Sequence, residues 1–150
     1  MDIKYSEIYN VLSKERKSIE KLVEPFWYRF TRYKLQFCLL IIYAENLEKE
    51  YFNIHIRETD EVVILDKNLL CIVFEANNDT KVTDGIEKLL YNQDGEFHKA
   101  NNFYYSSMVC ASESEGLEEN IINRSFMILE YAFEYQRTNE VLNYSAIFMK

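Results

Sequence analysis

Apolar residues near the start of the chain recur at spacings of three, four and seven between residues 5 and 30, with charged residues between them. This period predicts a long amphipathic helix. Pro25 could kink the helix, or split it into helices at residues 3–24 and 26–33. We expect it to pack on its own domain; a dimer or linker helix is the alternative, and whether it forms a coiled coil stays open.

Apolar runs farther along the chain predict the strands of a sheet. Residues 35–44 form a continuous apolar run, which is typical of a central strand buried on both faces. Two shorter runs at residues 62–65 and 69–74 predict a hairpin, joined by the polar turn Asp66-Lys67-Asn68. The last two predicted strands are residues 103–111 and 141–149.

Helical patterns lie between these strands, and polar stretches separate the elements. The order of elements fits one antiparallel-rich sheet covered by helices on one side. We therefore expect an α+β fold with a ferredoxin-like core and about five strands. Residues 1–33 would form an N-terminal helical segment, and residues 34–150 one compact unit. The predicted internal helices are residues 45–58, 82–90 and 117–137.

Length, composition and charge narrow the class of protein. A chain of 150 residues with 48% hydrophobic residues is the size of one globular domain. Its net charge of −8 argues against binding to nucleic acid, whose phosphates would repel it. The N-terminus lacks the pattern of a signal peptide, and the apolar run at residues 37–44 is too short to span a bilayer. We expect a soluble, cytoplasmic protein without membrane insertion.

The residues that most often bind metals do not form a pattern here. Cys38, Cys71 and Cys110 are an odd number and lie in apolar, strand-like runs, so we expect reduced core residues. His55 and His98 have no second ligand at helical spacing, which favours ordinary polar residues over metal ligands. No metal site and no cofactor is therefore expected.

Two clusters of one residue type stand out. An acidic stretch predicts a solvated loop and helix start, where negative charge suits the helix dipole. Its members are Glu113, Glu115, Glu118 and Glu119. An aromatic stretch is too dense for one buried helix face, so it either wraps into the core or exposes a patch for a partner. Its members are Phe26, Trp27, Tyr28, Phe30 and Tyr33.

The stretch RETDEVVILDKNLLCIVFE, which begins at Arg57, resembles the signature hairpin of GGDEF domains, the family that makes cyclic di-GMP. Two more segments support the resemblance. RYKLQFCLLIIYAE is similar to the family's first strand and the helix end before it, and FYYSSMVCASESE followed by QRTNEV is similar to its last strands. The resemblance covers residues 32–141 and implies a nucleotide-cyclase-like core.

The same resemblance places the family's catalytic positions on residues without the required chemistry. The metal-binding Asp falls on Tyr43 and the second acidic position on Glu45. Only residues 46–56 separate the first strand from RETD, so the family's substrate-binding helix and loop are missing. Phosphoryl transfer needs carboxylates that hold Mg²⁺, so the resemblance implies no catalytic residues and no enzyme activity. The Gly-Gly-Asp/Glu-Glu-Phe motif falls on Asp66, Lys67, Asn68, Leu69 and Leu70.

One pair of residues matches a ligand-binding motif of the family. Arg57 and Asp60 fall on its inhibitory-site pair, which binds cyclic di-GMP, and an Arg fork suits that bidentate task. The alternative is an ordinary salt bridge at a helix end. We therefore expect an inactive GGDEF-like module for protein interaction or homodimerisation in bacterial signalling, or alternatively a cyclic dinucleotide receptor. An enzyme of an unrelated ferredoxin-like family is the third hypothesis.

Overall fold

The continuous apolar run before Glu45 lies at the centre of a five-stranded sheet in the computed structural model, which describes residues 4–45, 60–75 and 103–148. The strands are β1 (Phe37–Ala44), β2 (Glu61–Asp66), β3 (Leu69–Glu75), β4 (Tyr104–Cys110) and β5 (Val141–Asn143). The helices are α1 (Tyr5–Lys14), α2 (Arg16–Tyr33), the 3₁₀ helix η1 (Ala111–Glu113), α3 (Glu118–Glu134) and α4 (Tyr144–Phe148).

The sheet has the strand order β2-β3-β1-β4-β5. β1 is antiparallel to both β3 and β4, β2 is antiparallel to β3, and only the β4–β5 pair is parallel. The expected α+β fold, with a mostly antiparallel sheet of about five strands, is confirmed. The predicted helices at residues 45–58 and 82–90 lie outside the described residues, apart from Glu45, which is a turn.

Both faces of β1 are buried, as its continuous apolar pattern predicts. Side chains alternate across a strand, so neighbouring residues enter two different clusters. Leu39, Ile41 and Tyr43 join the cluster that contains buried residues of α1, α2 and α3. Leu40 and Ile42 join the cluster on the other face. The described helices therefore pack on one face, and every residue of β1 is buried.

The N-terminal segment breaks at Glu15 and not at Pro25, so the predicted position of the break was wrong. Glu15 takes φ −95° and ψ 7°, whereas Pro25 lies inside α2. Buried residues on both sides of the proline, Val23 and Phe26, hold the segment helical by tertiary packing, which outweighs a missing backbone hydrogen bond. The apolar stripe packs on its own domain, through Ile8, Leu12, Ile19, Val23 and Phe26.

The last predicted strand is much shorter than its apolar pattern indicates. β5 ends at Asn143, and α4 follows at once. The Asn143 side chain accepts a hydrogen bond from the Ser145 N–H at 3.0 Å, which is the geometry of a helix N-cap. Apolar alternation does not reveal this cap, and the prediction of a strand to residue 149 was wrong.

The cysteines are core residues, but two of them are not reduced. Cys38 and Cys110 face each other across β1 and β4 and form a disulfide. Cys71 is buried and free, and it belongs to the cluster on the opposite face of the sheet. Alternation across the strands decides the pairing, which an odd count of distant cysteines does not reveal. The cytoplasmic location stays a prediction.

The aromatic stretch of α2 divides between core and surface. Phe26 is buried, Trp27 and Phe30 pack partly against the core, and Tyr28 and Tyr33 are exposed. The stretch therefore both enters the core and exposes two rings, and a role of those rings in binding a partner stays a prediction. None of the helices in the described ranges has the length and apolar character needed to cross a membrane.

Candidate functional site

The turn of the β2–β3 hairpin lies against the end of β1. The Ala44 N–H donates a hydrogen bond to the Asn68 carbonyl at 3.0 Å, and Tyr43 is the register partner of Leu69. The predicted hairpin is confirmed, with Lys67 and Asn68 as its turn. The fold thus brings together two positions that are separated in sequence, Tyr43 and Asn68, which the GGDEF resemblance assigns to the metal-binding Asp and to the acidic residue of the turn.

Tyr43 fills this junction with an aromatic ring. Its side chain is buried, and its ring centroid lies 5.7 Å from that of Phe133 on α3. Phe133 in turn stacks on Tyr105 of β4 at 4.0 Å. Aromatic packing of this kind contributes beyond the buried area, so the end of β1 is part of the core.

The Tyr43 hydroxyl lies beside the Asn68 side chain. Burial is the main reason why the pKa of Tyr43 is raised, and the carboxylates of Glu45 and Glu7 raise it further, whereas the polar Asn68 side chain opposes the rise. The hydroxyl is therefore neutral at physiological pH. Two neutral polar groups thus meet at the junction.

The carboxylates near this junction do not converge. Glu45 and Glu7 are exposed, and so are the turn residues Asp66 and Lys67. Across residues 4–45, 60–75 and 103–148, no group of three or more His, Cys, Asp or Glu residues could hold a metal ion. Mg²⁺ prefers octahedral oxygen ligands from carboxylates and substrate phosphates. The Tyr43–Asn68 pair does not fit that requirement.

Of the predicted ligand-binding pair Arg57 and Asp60, the structure describes only Asp60. Asp60 lies directly before β2 and is 6% exposed. Arg57 lies outside the described residues, as do His55 and His98. The role of Arg57 and Asp60 in ligand binding therefore remains a prediction.

Glu113 is a structural residue that the sequence pattern misassigned. It is 5% exposed and not solvated, and its carboxylate accepts hydrogen bonds from the backbone N–H groups of Cys110 at 2.8 Å and Ser145 at 2.7 Å. The Asn143 amide at 3.2 Å and the Ser145 hydroxyl also donate to it. The carboxylate thus joins the end of β4 to β5 and α4. Three of the four donors belong to Asn143 and Ser145, which lie 30 and 32 residues farther along the chain, so the local sequence does not reveal that Glu113 is buried.

The other acidic residues of that stretch differ from Glu113. Glu115 is exposed and forms an ion pair with Arg124 at 3.2 Å. Glu118 and Glu119 begin α3, as predicted. Burial is the main cause of a raised pKa at Glu118, and the carboxylates of Glu24 and Glu20 on α2 add to it.

The fold is that of GGDEF domains. The chain is similar to a microbial GGDEF domain that was solved in a novel interaction mode with bis-(3′,5′)-cyclic di-GMP. The two share 12% sequence identity, the match covers 85% of this chain and 92% of that one, and the TM-score is 0.67. It is also similar to the GGDEF domain of DgcB from Caulobacter crescentus in complex with c-di-GMP: 10% identity, 86% and 87% coverage, and a TM-score of 0.67.

A further similar structure contains only the GGDEF domain of TpbB, also called YfiN, from Pseudomonas aeruginosa. The identity is 11%, the match covers 90% of this chain and 94% of that one, and the TM-score is 0.61. No family model and no curated protein matches the sequence. At these identities the likeness is one of fold, and it confirms the nucleotide-cyclase-like core expected from the hairpin.

Proposed function

We propose that this chain is a catalytically inactive domain of GGDEF-like fold, which serves as a protein-interaction or dimerisation module in bacterial signalling. The observation that carries the proposal is the position of Tyr43 and Asn68 side by side where β1 meets the hairpin turn, with the Ala44 N–H donating to the Asn68 carbonyl. The GGDEF resemblance assigns these two positions to a metal-binding Asp and to the acidic residue of the turn. Here both side chains are neutral.

The chemistry of cyclic di-GMP synthesis needs more than this pair supplies. Joining nucleoside triphosphates requires metal ions that bridge the phosphates and neutralise the developing charge. A buried, neutral phenol and an amide carry no charge with which to hold such an ion. Glu45 alone remains acidic at the end of β1, and Asp66 and Lys67 occupy the positions of the two glycines. Their side chains would fill the space in which the nucleotide lies.

Turnover of GTP tests the inactive state directly. The full chain, incubated with GTP and either Mg²⁺ or Mn²⁺, should release no pyrophosphate and form no cyclic dinucleotide by liquid chromatography. A GGDEF domain that carries the complete motif serves as the positive control under identical conditions. Formation of cyclic di-GMP by this chain, lost in Glu45→Gln, would contradict the proposal.

The interaction role draws support from the surface of α2. Tyr28 and Tyr33 are exposed, and their rings contact each other at 6.5 Å. The Arg32 guanidinium lies 5.7 Å from the Tyr28 centroid and 5.8 Å from the Tyr33 centroid. Tyr and Arg side chains are enriched at protein interfaces. Size-exclusion chromatography with light scattering tests the dimer, which Tyr28→Ser/Tyr33→Ser should weaken; a strict monomer at all concentrations removes the dimerisation role.

A cyclic dinucleotide receptor is the second candidate. Two of the similar structures concern GGDEF domains with cyclic di-GMP, and Asp60 lies at the start of β2, where the resemblance places a ligand contact. Calorimetry with cyclic di-GMP should give saturable heat that Arg57→Ala abolishes. Lys34→Ala, which removes an exposed cation from the loop before β1, is the matched control and should bind normally. No heat at high micromolar ligand eliminates this candidate.

A further inference from the structure

A groove of about 480 Å³ lies between α2 and the start of α3. Three apolar residues line it: Val23 and Ile122, which are buried, and Leu117, which is 52% exposed. The size falls within the range of ligand-binding clefts. An exposed leucine beside a buried apolar floor offers a contact surface that the described part of the fold leaves open.

The rest of the lining that the structure describes is acidic. It consists of Glu20, Glu24, Glu118 and Glu119, and no described lysine or arginine lines the groove. Arg16 pairs with Glu20 at 3.5 Å along the helix, but Glu24, Glu118 and Glu119 have no ion-pair partner among the described residues. The carboxylates of Glu20 and Glu24 contribute to the raised pKa of Glu118, so the two helices hold like charges near each other.

The combination of apolar floor and acidic sides selects the chemistry of the occupant. Cations such as Mg²⁺ and Ca²⁺ need several converging oxygen ligands, whereas the described residues contain no group able to hold a metal ion. A second copy of this chain, with a net charge of −8, would be repelled at this acidic groove. A segment with an apolar anchor flanked by positive charges matches both parts of the groove.

We propose that this groove docks a basic amphipathic helix of a partner protein, with an apolar side chain against the exposed Leu117, above the buried Val23 and Ile122, and lysine or arginine residues against the surrounding carboxylates. An amphipathic helix in a groove is a common form of peptide recognition. The inference rests on the proposed interaction role and specifies the chemistry of the partner.

A labelled synthetic helix, with leucines at helical spacing and lysines elsewhere, is the probe, and fluorescence anisotropy measures its binding to the full chain. We expect saturable binding that weakens as salt is added, because the carboxylates are solvent-accessible. The same helix with glutamates in place of lysines should not bind. Absence of binding by the lysine helix at high micromolar protein would overturn the proposal.

Two protein variants distinguish binding to the carboxylates of the groove from general electrostatic attraction of a basic helix to an acidic protein. Glu24→Gln/Glu118→Gln should weaken binding roughly five- to tenfold, the effect expected for two partly exposed ion pairs. Glu61→Gln/Glu134→Gln makes the same change in net charge at exposed positions away from the groove, and should alter binding less than about twofold. Equal weakening by the two variants would overturn the proposal, because the attraction would then be non-specific.

A third variant tests the apolar floor without endangering the fold. Leu117 is the N-cap residue of α3, where serine is the better cap, so Leu117→Ser keeps the helix start intact. We expect it to weaken binding at least threefold, through lost apolar contact. Unchanged binding would overturn the apolar anchor.

Two other occupants are outcomes of the same experiments. Saturable heat with Ca²⁺ or Mg²⁺ that Glu24→Gln/Glu118→Gln removes would reassign the groove to a cation, and a dimer that this variant disrupts would reassign it to a second copy; either result overturns the proposal. The inactive state is measured separately by GTP turnover. If the chain forms cyclic di-GMP and still binds the lysine helix, the proposed inactivity is refuted, but the proposal that the groove docks a basic helix is not.

Discussion

The two ends of the central strand β1 differ in the polar groups that are buried beside them. At the hairpin end, Tyr43 and Asn68 form a neutral pair beside the turn. At the other end, Cys38 is bonded to Cys110, and the Cys110 N–H donates to the buried carboxylate of Glu113. The buried carboxylate of Glu113 thus joins elements of the fold, whereas no carboxylate of the described residues is buried beside Tyr43 at the hairpin end.

Burial of charge explains this difference. A carboxylate removed from water costs several kcal/mol unless hydrogen bonds replace its hydration. Glu113 has two backbone N–H groups among its four donors, so the fold itself supplies the compensation. At the hairpin end a neutral phenol beside an amide has no such cost. The end that contains Cys38 and Glu113 is therefore suited to structural stability. At the hairpin end, Tyr43 and Asn68 have no charge with which to bind metal.

Reduction of the disulfide should have the largest effect on stability. Cys38 and Cys110 are separated by 72 residues, and opening a cross-link of that span is expected to cost about 4 kcal/mol. Urea unfolding with and without dithiothreitol measures the change. Cys38→Ala/Cys110→Ala is the control, because its unfolding midpoint should not respond to reductant. If dithiothreitol does not change the unfolding midpoint of the wild type either, the disulfide does not stabilise the fold, and the contrast between the two ends of β1 loses its disulfide.

Loss of the Glu113 carboxylate should have the next largest effect. Glu113→Gln keeps the shape of the side chain but replaces an acceptor-only group and weakens its four hydrogen bonds, so we expect a loss of about 3 kcal/mol in the free energy of unfolding. Glu115→Gln is the matched control, since Glu115 is 69% exposed and its ion pair contributes at most about 1 kcal/mol. Similar losses in the two variants would mean that Glu113 has no special structural role.

Removal of the Tyr43 hydroxyl should have a smaller effect. Tyr43→Phe keeps the ring contacts with Phe133 but removes the hydroxyl beside the Asn68 side chain, and loss of a neutral polar contact costs at most about 1 kcal/mol. Thermal unfolding followed by circular dichroism measures the loss, with Tyr28→Phe, an exposed tyrosine, as the control. If the variant is as stable as the wild type, the Tyr43–Asn68 pair does not stabilise the hairpin end.

The exposed ion pair Arg137–Glu140, near the start of β4, should have the smallest effect. Its two hydrogen bonds are 2.7 and 2.9 Å long, and they are the main reason why the pKa of Glu140 is lowered. A carboxyl group with a lowered folded-state pKa stabilises the fold above its unfolded pKa and loses that contribution as the pH falls through the folded value. Because the pair is solvent-exposed, we expect about 0.5 kcal/mol at neutral pH.

Urea unfolding of the wild type and Glu140→Gln across the acidic range measures this contribution. The difference between the two proteins should be constant near neutral pH and should vanish in acid, below the folded-state pKa of Glu140. A difference that grows as the pH falls would have the wrong sign for a lowered pKa. It would show that the ion pair is not the cause of the stabilisation.

Much of the fold was predictable because it follows from local patterns. The run at residues 37–44 predicted a strand buried on both faces, and the polar turn at Lys67 and Asn68 predicted the hairpin. The amphipathic period predicted helices in the N-terminal segment and in α3. Such patterns act over a few residues, and tertiary contacts rarely reverse them when they are long and regular.

The candidate site was predictable in composition but not in geometry. The resemblance identified Tyr43 and Asn68 as replacements, but their proximity depends on the register of β1 against β3. The Cys38–Cys110 disulfide and the donors of Glu113 depend on the pairing of β1 with β4 and on the turn into α4. The groove also went unrecognised, since Glu20 and Glu24 belong to one helix and Glu118 and Glu119 to another.

The amino-acid sequence by itself determined which segments become strands and helices. It also determined that a phenol and an amide stand where the GGDEF pattern has a metal-binding Asp and the acidic residue of the turn. Only the tertiary structure decided that these two side chains meet, that Glu113 is buried with four donors while its neighbour Glu115 is exposed, and that two of three cysteines form a disulfide. The physical reason is distance along the chain. Local periodicity follows from backbone geometry, whereas burial, charge compensation and cross-linking follow from contacts between residues far apart in sequence.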